Sequence, residues 1–220
     1  MTKKLGLIHT SATLVPVFQA LTDTYFAGKD IQVFNIVDDS LIKNTIERGK
    51  LTSDTSRRVV NYVASAEEAG ADYILVTCSS IGPAVETAAT LVDVPVLRVD
   101  QPMADKAVQM GRKIGVVATL STTLEPTTDL VRRRAIIAGK EIELTSRLCE
   151  GAFAALMSGN PELHDESVAA ALKALSQQVD VILLAQASMA RVVDQLSDED
   201  KKVPILTSPE LAVQHLAERL

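Results

Sequence analysis

Short apolar runs alternate along this chain with longer segments in which apolar residues recur every three or four positions. Runs such as YILVT and VILLA lack alternating polar residues, which is typical of strands covered by helices on both faces. We predict eight strands, over residues 4–9, 31–37, 72–78, 94–98, 113–118, 141–146, 180–186 and 203–206. Strands separated by helices are typical of βα units, so the pattern predicts an α/β fold with parallel sheets.

The second half of the sequence repeats the first with a shift of 108 to 110 residues. Three segments match in the same order: KLGLIHTSATLVP at 4–16 with KIGVVATLSTTLEP at 113–126, ADYILVTCSSI at 71–81 with VDVILLAQASM at 179–189, and VPVLRVDQPMA at 94–104 with VPILTSPELAV at 203–213. The repeat predicts two duplicated halves, each with a four-stranded parallel sheet, related by a pseudo-twofold axis.

Composition narrows the possible partners. The 220 residues are 47% hydrophobic and carry a net charge of −6, with seven aromatic residues and no Trp. A globular chain with no excess positive charge and few rings for base stacking is not expected to bind nucleic acid. No apolar run approaches the ~18 residues that cross a bilayer, so we expect a cytoplasmic protein with no membrane partner.

Hydroxyl-rich segments follow the first and third strand of each half. They are HTSAT at 9–13, CSS at 78–80, TLSTT at 119–123 and QAS at 186–188. Ligands bind beyond the carboxyl ends of strands in open α/β sheets, so we expect these loops to meet in a shared cleft. Helix starts with free N–H groups and hydroxyls suit a carboxylate. The alternative is that the hydroxyls of Ser11, Ser80, Thr122 and Ser188 only cap their helices.

A duplicated βα chain whose third strand runs into Cys78-Ser79-Ser80 resembles the aspartate/glutamate/hydantoin racemase superfamily over essentially its whole length. The resemblance implies two Rossmann-like halves with the site between them, a small carboxylate substrate, no cofactor, and association into a homo-oligomer. It also implies that a C-terminal helix around 208–219 packs on the first half. The first domain would then comprise residues 1–98 plus about 207–220, and the second 99–206.

Members of this superfamily typically carry one cysteine after the third strand of each half, and the two thiols remove and return a proton on opposite faces of the substrate. Here the repeat sets Gln186 opposite Cys78, and an amide does no acid/base work near neutral pH. Cys78 is therefore the candidate catalytic thiol, with a pKa lowered by the following helix start. The alternative for Cys78 is a buried cysteine, the role that we expect for Cys149.

Three histidines and one acidic segment are weaker candidates. His9 follows the first strand and either takes the proton of Cys78 or is satisfied by hydrogen bonds to the backbone. His164 and His215 are expected to face solvent. Asp38 either reaches the cleft or caps the next helix, and capping is the commoner outcome.

Substrate-binding candidates come from the same four loops. They are Thr10, Ser11, Ser79, Ser80, Thr119, Ser121, Thr122, Gln186 and Ser188. The sequence contains no metal-ligand spacing and no Gly-rich phosphate motif, so we expect neither a metal nor a nucleotide.

These observations favour a cofactor-independent enzyme acting on a small carboxylic acid, by one-sided proton transfer from a thiol or by thiol addition, as an isomerase or a decarboxylase. One alternative is a true amino-acid or hydantoin racemase whose second base is not a cysteine. The other is a carboxylate-binding protein without catalytic activity.

Overall fold

A computed structural model describes residues 2–220 and divides into two compact units. The first unit contains the chain up to Gln101 together with Pro209–Leu220, and the second contains Pro102–Ser208. No helix among the described residues has the length and apolar character needed to cross a lipid bilayer.

The first unit is a four-stranded sheet with strand order β2-β1-β3-β4 and helices in the connections. Its elements are β1 (Lys3–His9), α1 (Val15–Tyr25), β2 (Ile31–Val37), α2 (Asp39–Glu47), α3 (Ser53–Glu68), β3 (Tyr73–Val76), α4 (Gly82–Ala88) and β4 (Val96–Arg98). All three pairings between neighbouring strands are parallel. Helix α5 (Gln101–Met110) leads into the second unit.

The second unit has the same topology, with strand order β6-β5-β7-β8 and parallel pairing throughout. Its elements are β5 (Lys113–Ala118), α6 (Ser121–Ile137), β6 (Glu143–Leu148), α7 (Ala152–Met157), α8 (Pro161–Leu175), β7 (Val181–Leu184), α9 (Ala190–Gln195) and β8 (Ile205–Thr207). The last helix, α10 (Ser208–Ala217), carries the chain back to the first unit.

The α/β class with two duplicated Rossmann-like halves is thus confirmed, and all eight predicted strands exist. Several predicted strand ends are wrong by two residues or so. Strands β4 and β8 begin after Pro95 and Pro204, because proline has no N–H to donate to a neighbouring strand. The third strand of each half is only four residues long and ends at Val76 or Leu184, before the candidate loops.

Both faces of β3 are buried in the first sheet, which explains the unbroken apolar run in its sequence. Side chains of successive strand residues point to opposite faces. Ile74 and Val76 pack against Val63 of α3 on one face. On the other face, Leu75 belongs to a cluster that includes Val213 of α10.

One aspartate in each unit fixes the start of the central strand. The Asp72 carboxylate accepts a hydrogen bond of 2.7 Å from the backbone N–H of Lys4. Asp180 accepts bonds of 2.9 and 2.8 Å from the N–H groups of Arg112 and Lys113. These bonds set the first strand of each unit against the third, and so bring the loops at their carboxyl ends side by side.

Candidate functional site

Cys78 lies just beyond the carboxyl end of β3, on the loop that leads into α4. The preceding residue, Thr77, still donates its N–H to the carbonyl of Ile8 at 3.0 Å. Cys78 then has extended backbone angles, φ −134° and ψ 120°, and is the N-cap of a single 3₁₀ turn over Ser79–Ile81. Its side chain is half-buried, whereas Ser79 and Ser80 are buried.

The thiol of Cys78 is surrounded by hydrogen-bond donors from two loops. The hydroxyls of Thr10 and Ser80 and the backbone N–H groups of Ser80 and Ile81 contact the sulfur. Burial nevertheless raises the pKa of the Cys78 thiol, and these four donors reduce the rise without cancelling it.

The predicted lowering of the thiol pKa is therefore wrong. The start of a helix does supply donors to the sulfur of Cys78, but desolvation of the thiolate outweighs them. At neutral pH the sulfur carries its proton. In this state the Cys78 thiol suits a proton donor better than a nucleophile, because attack requires the thiolate.

Gln186 occupies the corresponding position in the second unit. It too is the N-cap of a 3₁₀ turn, over Ala187–Met189, and its φ of −134° and ψ of 137° nearly repeat those of Cys78. Its Oε1 accepts hydrogen bonds from the backbone N–H of Thr119 at 2.5 Å and from the Thr119 hydroxyl at 2.9 Å. A backbone N–H can only donate, so the amide oxygen faces Thr119 and the Nε2 donor group points away from it.

The two units thus use the same arrangement at the ends of their first and third strands. Thr10 follows β1 and contacts Cys78, and Thr119 follows β5 and contacts Gln186. The alignment of the sequence repeat placed these residues opposite one another. The side chain that follows the third strand differs, since one unit presents a thiol and the other an amide, and so do its further donors: Ser80 and Ile81 for Cys78, and the backbone N–H of Thr119 for Gln186.

His9 does not pair with the thiol. Its ring is fully buried, with Nδ1 2.9 Å from the Thr77 hydroxyl and Nε2 2.9 Å from Oδ1 of Asn35. Burial lowers the pKa of His9, opposed by the bond to Asn35, so the ring is neutral at pH 7. Nε2–H then donates to Asn35, and Nδ1 is paired with the Thr77 hydroxyl, which also lies 3.2 Å from the carbonyl of Ile8. Neither nitrogen is therefore left to take a proton from Cys78. The expected Cys–His pair is not formed, and His9 is satisfied by side chains.

The loop hydroxyls do not cap their helices, which was the alternative to carboxylate binding. Ser11 is an N-cap residue, but its hydroxyl bonds to Thr13 at 2.8 Å and not to a helix N–H. Ser121 and Thr122 lie inside α6, whose N-cap is Leu120. The Thr122 Oγ1 atom is buried and has no hydrogen-bond partner among the described residues. Ser188 is half-buried within a 3₁₀ turn.

The acidic segment after β2 behaves as a cap, as predicted, but with one addition. Asp38 accepts a bond of 3.0 Å from the N–H of Ser40 at the start of α2. Burial raises its pKa, but bonds from Tyr62 and Ser40 outweigh this and hold the pKa below its usual value. Asp39 accepts a 2.8 Å bond from the N–H of Ala12. A carboxylate of the chain itself therefore already occupies one donor of the loop after β1.

The predictions for Cys149 and His164, which lie outside the four loops, have different outcomes. Cys149 is 5% exposed and lies in the apolar core of the second unit, as expected. His164 was predicted to face solvent, and this is wrong, because it is fully buried and bonds to Asp165 at 2.7 Å. Within residues 2–220 no group of three or more His, Cys, Asp or Glu side chains is arranged to hold a metal ion.

Sequence reasoning missed a buried ion pair behind the thiol loop. Arg98, at the end of β4, is bound by Asp100 and Glu86 and lies against Gly82 in the first turn of α4. A signal was present in the repeat, since Gly82 and Arg98 correspond to Ala190 and Thr207.

Solved structures share this fold over nearly the whole chain. Three are a glutamate racemase isoform from Bacillus anthracis (TM-score 0.77, 15% identity, 99% of this chain and 81% of that one), an aspartate racemase from Picrophilus torridus (0.72, 16%, 98% and 94%) and an allantoin racemase from Klebsiella pneumoniae (0.71, 17%, 99% and 87%). Identities this low establish the fold alone. The structure therefore has the two-unit α/β fold of these racemases.

The family itself is shown by the sequence. The family model for Asp/Glu/hydantoin racemases matches residues 3–216, so this chain belongs to the Asp/Glu/hydantoin racemase family. The resemblance drawn from the repeat and from the position of Cys78 is thereby confirmed. No curated protein matches the sequence.

Proposed function

We propose that this protein is a cofactor-independent enzyme of the racemase family that transfers a proton to one face of a small carboxylic acid, with Cys78 as the only thiol involved. The observation that carries the proposal is the half-buried Cys78 thiol, held among four donors and protonated at neutral pH. Its proton is available to a carbanion, and the thiolate left behind keeps the hydrogen bonds of Thr10, Ser80 and Ile81.

Gln186 supports a one-sided reaction. A two-base racemase needs a proton-transfer group on each face of the planar intermediate, and the residue that repeats Cys78 is an amide. Its oxygen is occupied by Thr119, and its Nε2 remains a donor. We assign Gln186 a hydrogen-bonding role toward a substrate oxygen and no role in proton transfer.

The chemistry balances without a cofactor. In the decarboxylase form, the C–C bond of an activated malonate-type acid breaks and carbon dioxide leaves. The electron pair of the broken bond stays on the α-carbon and forms an enediolate. The S–H bond of Cys78 then breaks as a C–H bond forms, and water reprotonates the thiolate. In the exchange form, the minor thiolate form of Cys78 removes an α-proton and the resulting thiol returns one to the same face of the same carbon. The α-proton then exchanges with solvent, the configuration is retained, and no isomer is formed.

Proton NMR in D₂O tests the proposal, using aspartate, glutamate, a hydantoin and an arylmalonate as substrates. Deuterium at the α-carbon without formation of the antipode, or decarboxylation that places deuterium on one face, supports one-sided transfer. Cys78→Ser should abolish either reaction and Cys149→Ser should preserve it. Full racemisation overturns the proposal, and Gln186→Ala then shows whether the second base is at that position or elsewhere.

The competing hypothesis is a carboxylate-binding protein without activity. It predicts that isothermal titration detects binding of a dicarboxylate while all four substrates remain unchanged and unlabelled. That result would also overturn the proposal, since an intact Cys78 thiol would then transfer no proton.

A further inference from the structure

A buried arginine lies directly behind the loop that carries Cys78. The side chain of Arg98 is 3% exposed and that of Asp100 is fully buried. The guanidinium binds Asp100 in bidentate geometry, with Nε 3.0 Å from Oδ1 and Nη2 2.9 Å from Oδ2. Its Nη1 donates to Glu86 of α4 at 2.5 Å. Arg98 thus ties the end of β4 to α4.

The guanidinium also lies flush against the backbone of Gly82. A Cβ added at Gly82 would lie 2.6 Å from Nε of Arg98, and closer still to Cζ and Nη2. Gly82 opens α4 directly after the 3₁₀ turn Ser79–Ile81. Its φ of −50° is an ordinary helical value, so glycine is needed here for space and not for backbone freedom.

The internal repeat shows that this packing is particular to the unit with the thiol. In the second unit Thr207 replaces Arg98, Pro209 replaces Asp100, and Ala190 replaces Gly82. Where the arginine is absent, the position after the 3₁₀ turn carries a Cβ. Glycine and arginine, which are in direct contact in the first unit, are therefore both replaced in the second.

We propose that Arg98, held by Asp100, is a positioning residue that fixes the first turn of α4 and so aims the backbone N–H groups of Ser80 and Ile81 at the sulfur of Cys78. The inference rests on the proposed function of Cys78 as the reactive thiol. It deepens that proposal by assigning the loop a rigid support.

The support is steric and not a direct charge effect on the thiol. One guanidinium is shared between the carboxylates of Asp100 and Glu86, so the cluster offers no excess positive charge to stabilise a thiolate. The bidentate pair of Arg98 with Asp100 and the contact of Arg98 with Gly82 instead hold α4 in a fixed position relative to β4. A lysine cannot bridge the same carboxylates in this geometry.

The experiment measures the pH profile of alkylation at each cysteine by mass spectrometry, in Arg98→Lys and in the wild type without substrate. We expect the Cys78 midpoint to move by at least about 0.5 pH unit, a roughly threefold change in thiolate fraction, while Cys149 is unchanged. If the loosened loop loses hydrogen-bond donors to the sulfur, the midpoint of Cys78 alkylation rises. If the loop instead admits water, the midpoint falls. A shift in either direction shows that Arg98 supports the loop. Arg134→Lys is the matched control, because Arg134 makes a similar bidentate pair with Asp105 in the second unit. A Cys78 profile in folded Arg98→Lys that superimposes on the wild type would overturn the inference.

A second set of variants avoids leaving a buried charge unpaired. Gly82→Ala should shift the Cys78 profile in the wild type. It should have little further effect in an Arg98→Thr/Asp100→Asn background, in which position 98 carries the threonine of the second unit and the Asp100 charge is removed with its partner. Additive shifts would overturn the inference. Because alkylation needs no turnover, failure of the proposed function, seen as activity that survives Cys78→Ser, remains distinguishable from failure of the positioning role.

Discussion

Thr119 donates two hydrogen bonds to one atom, the Oε1 of Gln186, from its backbone N–H at 2.5 Å and its hydroxyl at 2.9 Å. In the first unit the hydroxyl of Thr10 makes the corresponding contact with the sulfur of Cys78. The threonine after the first strand therefore orients whichever side chain follows the third strand. Replacing a thiol by an amide has changed the chemistry of that position while keeping its partner.

Removing the amide should cost stability in the second unit. Gln186→Ala leaves the buried N–H and hydroxyl of Thr119 without their acceptor, which costs about 1–3 kcal/mol of unfolding free energy. Urea denaturation measures the loss. Gln178→Ala is the matched control, since Gln178 makes one exposed bond to the carbonyl of Ala174 and its removal should cost less than about 0.5 kcal/mol. Equal losses in the two variants would contradict the role of the Gln186 oxygen.

The Cys78 thiol should titrate late. Because burial raises its pKa, its alkylation by iodoacetamide should be slow at pH 7 and reach half-maximum above the ordinary thiol value of about 8.5. Thr10→Val removes one donor to the thiolate and should move the midpoint higher still. Thr119→Val is the equivalent change in the second unit. Thr119 contacts Gln186, so this substitution should leave the midpoint of Cys78 alkylation unchanged. Fast labelling of wild-type Cys78 at neutral pH would contradict this prediction.

His9 should make the fold sensitive to mild acid. Its pKa is lowered in the folded state by burial, so the unfolded chain binds more protons as pH falls below about 6.5. Stability contributed by neutral His9 is then complete above that pH and is lost as pH falls toward the depressed folded value. Urea unfolding between pH 5 and 8 should show this slope in the wild type and a flatter curve in His9→Gln. Parallel curves would show that His9 is not the titrating group.

The first strand of each unit contains a glycine at the same position of the repeat, Gly6 and Gly115, and the two should differ in their tolerance of an added methyl group. A Cβ at Gly115 would lie 2.5 Å from Cδ2 of buried Leu175 on α8, and one at Gly6 would lie 3.0 Å from the ring tip of Phe34. Overpacking in a closed core costs roughly 1–3 kcal/mol. Gly115→Ala should therefore lower the midpoint of thermal unfolding more than Gly6→Ala does. The reverse order would mean that α8 moves more easily than Phe34.

The carboxylate after β2 should compete with acidic ligands. Asp39 occupies the N–H of Ala12 at 2.8 Å, in the loop that follows β1. Asp39→Ala frees this donor, and we expect dicarboxylate affinity measured by titration calorimetry to rise several-fold, about 1 kcal/mol. Asp54→Ala, an exposed acidic residue on α3, serves as the control for the loss of one negative charge. An equal gain in dicarboxylate affinity in both variants would mean that the loss of one negative charge causes the effect, and would contradict a specific role for the N–H of Ala12.

The sequence alone determined the fold class, the duplication and the equivalence of Cys78 with Gln186. Period and order are properties of the chain, and the two copies keep the same backbone angles at this position because the strands before them keep the same register. The burial of Cys149 and the cap at Asp38 likewise followed from local rules, since a small apolar side chain and an N-terminal acceptor have few other uses there.

Only the tertiary structure decided the protonation of the thiol, the neutrality of His9 and the support of the loop by Arg98. Each depends on partners distant along the chain, such as Thr10 for Cys78 and Asn35 for His9. Each also depends on desolvation, a property of the packed interior that no residue carries by itself. The identity of a side chain says what it is able to do, and its burial and neighbours set its charge at neutral pH.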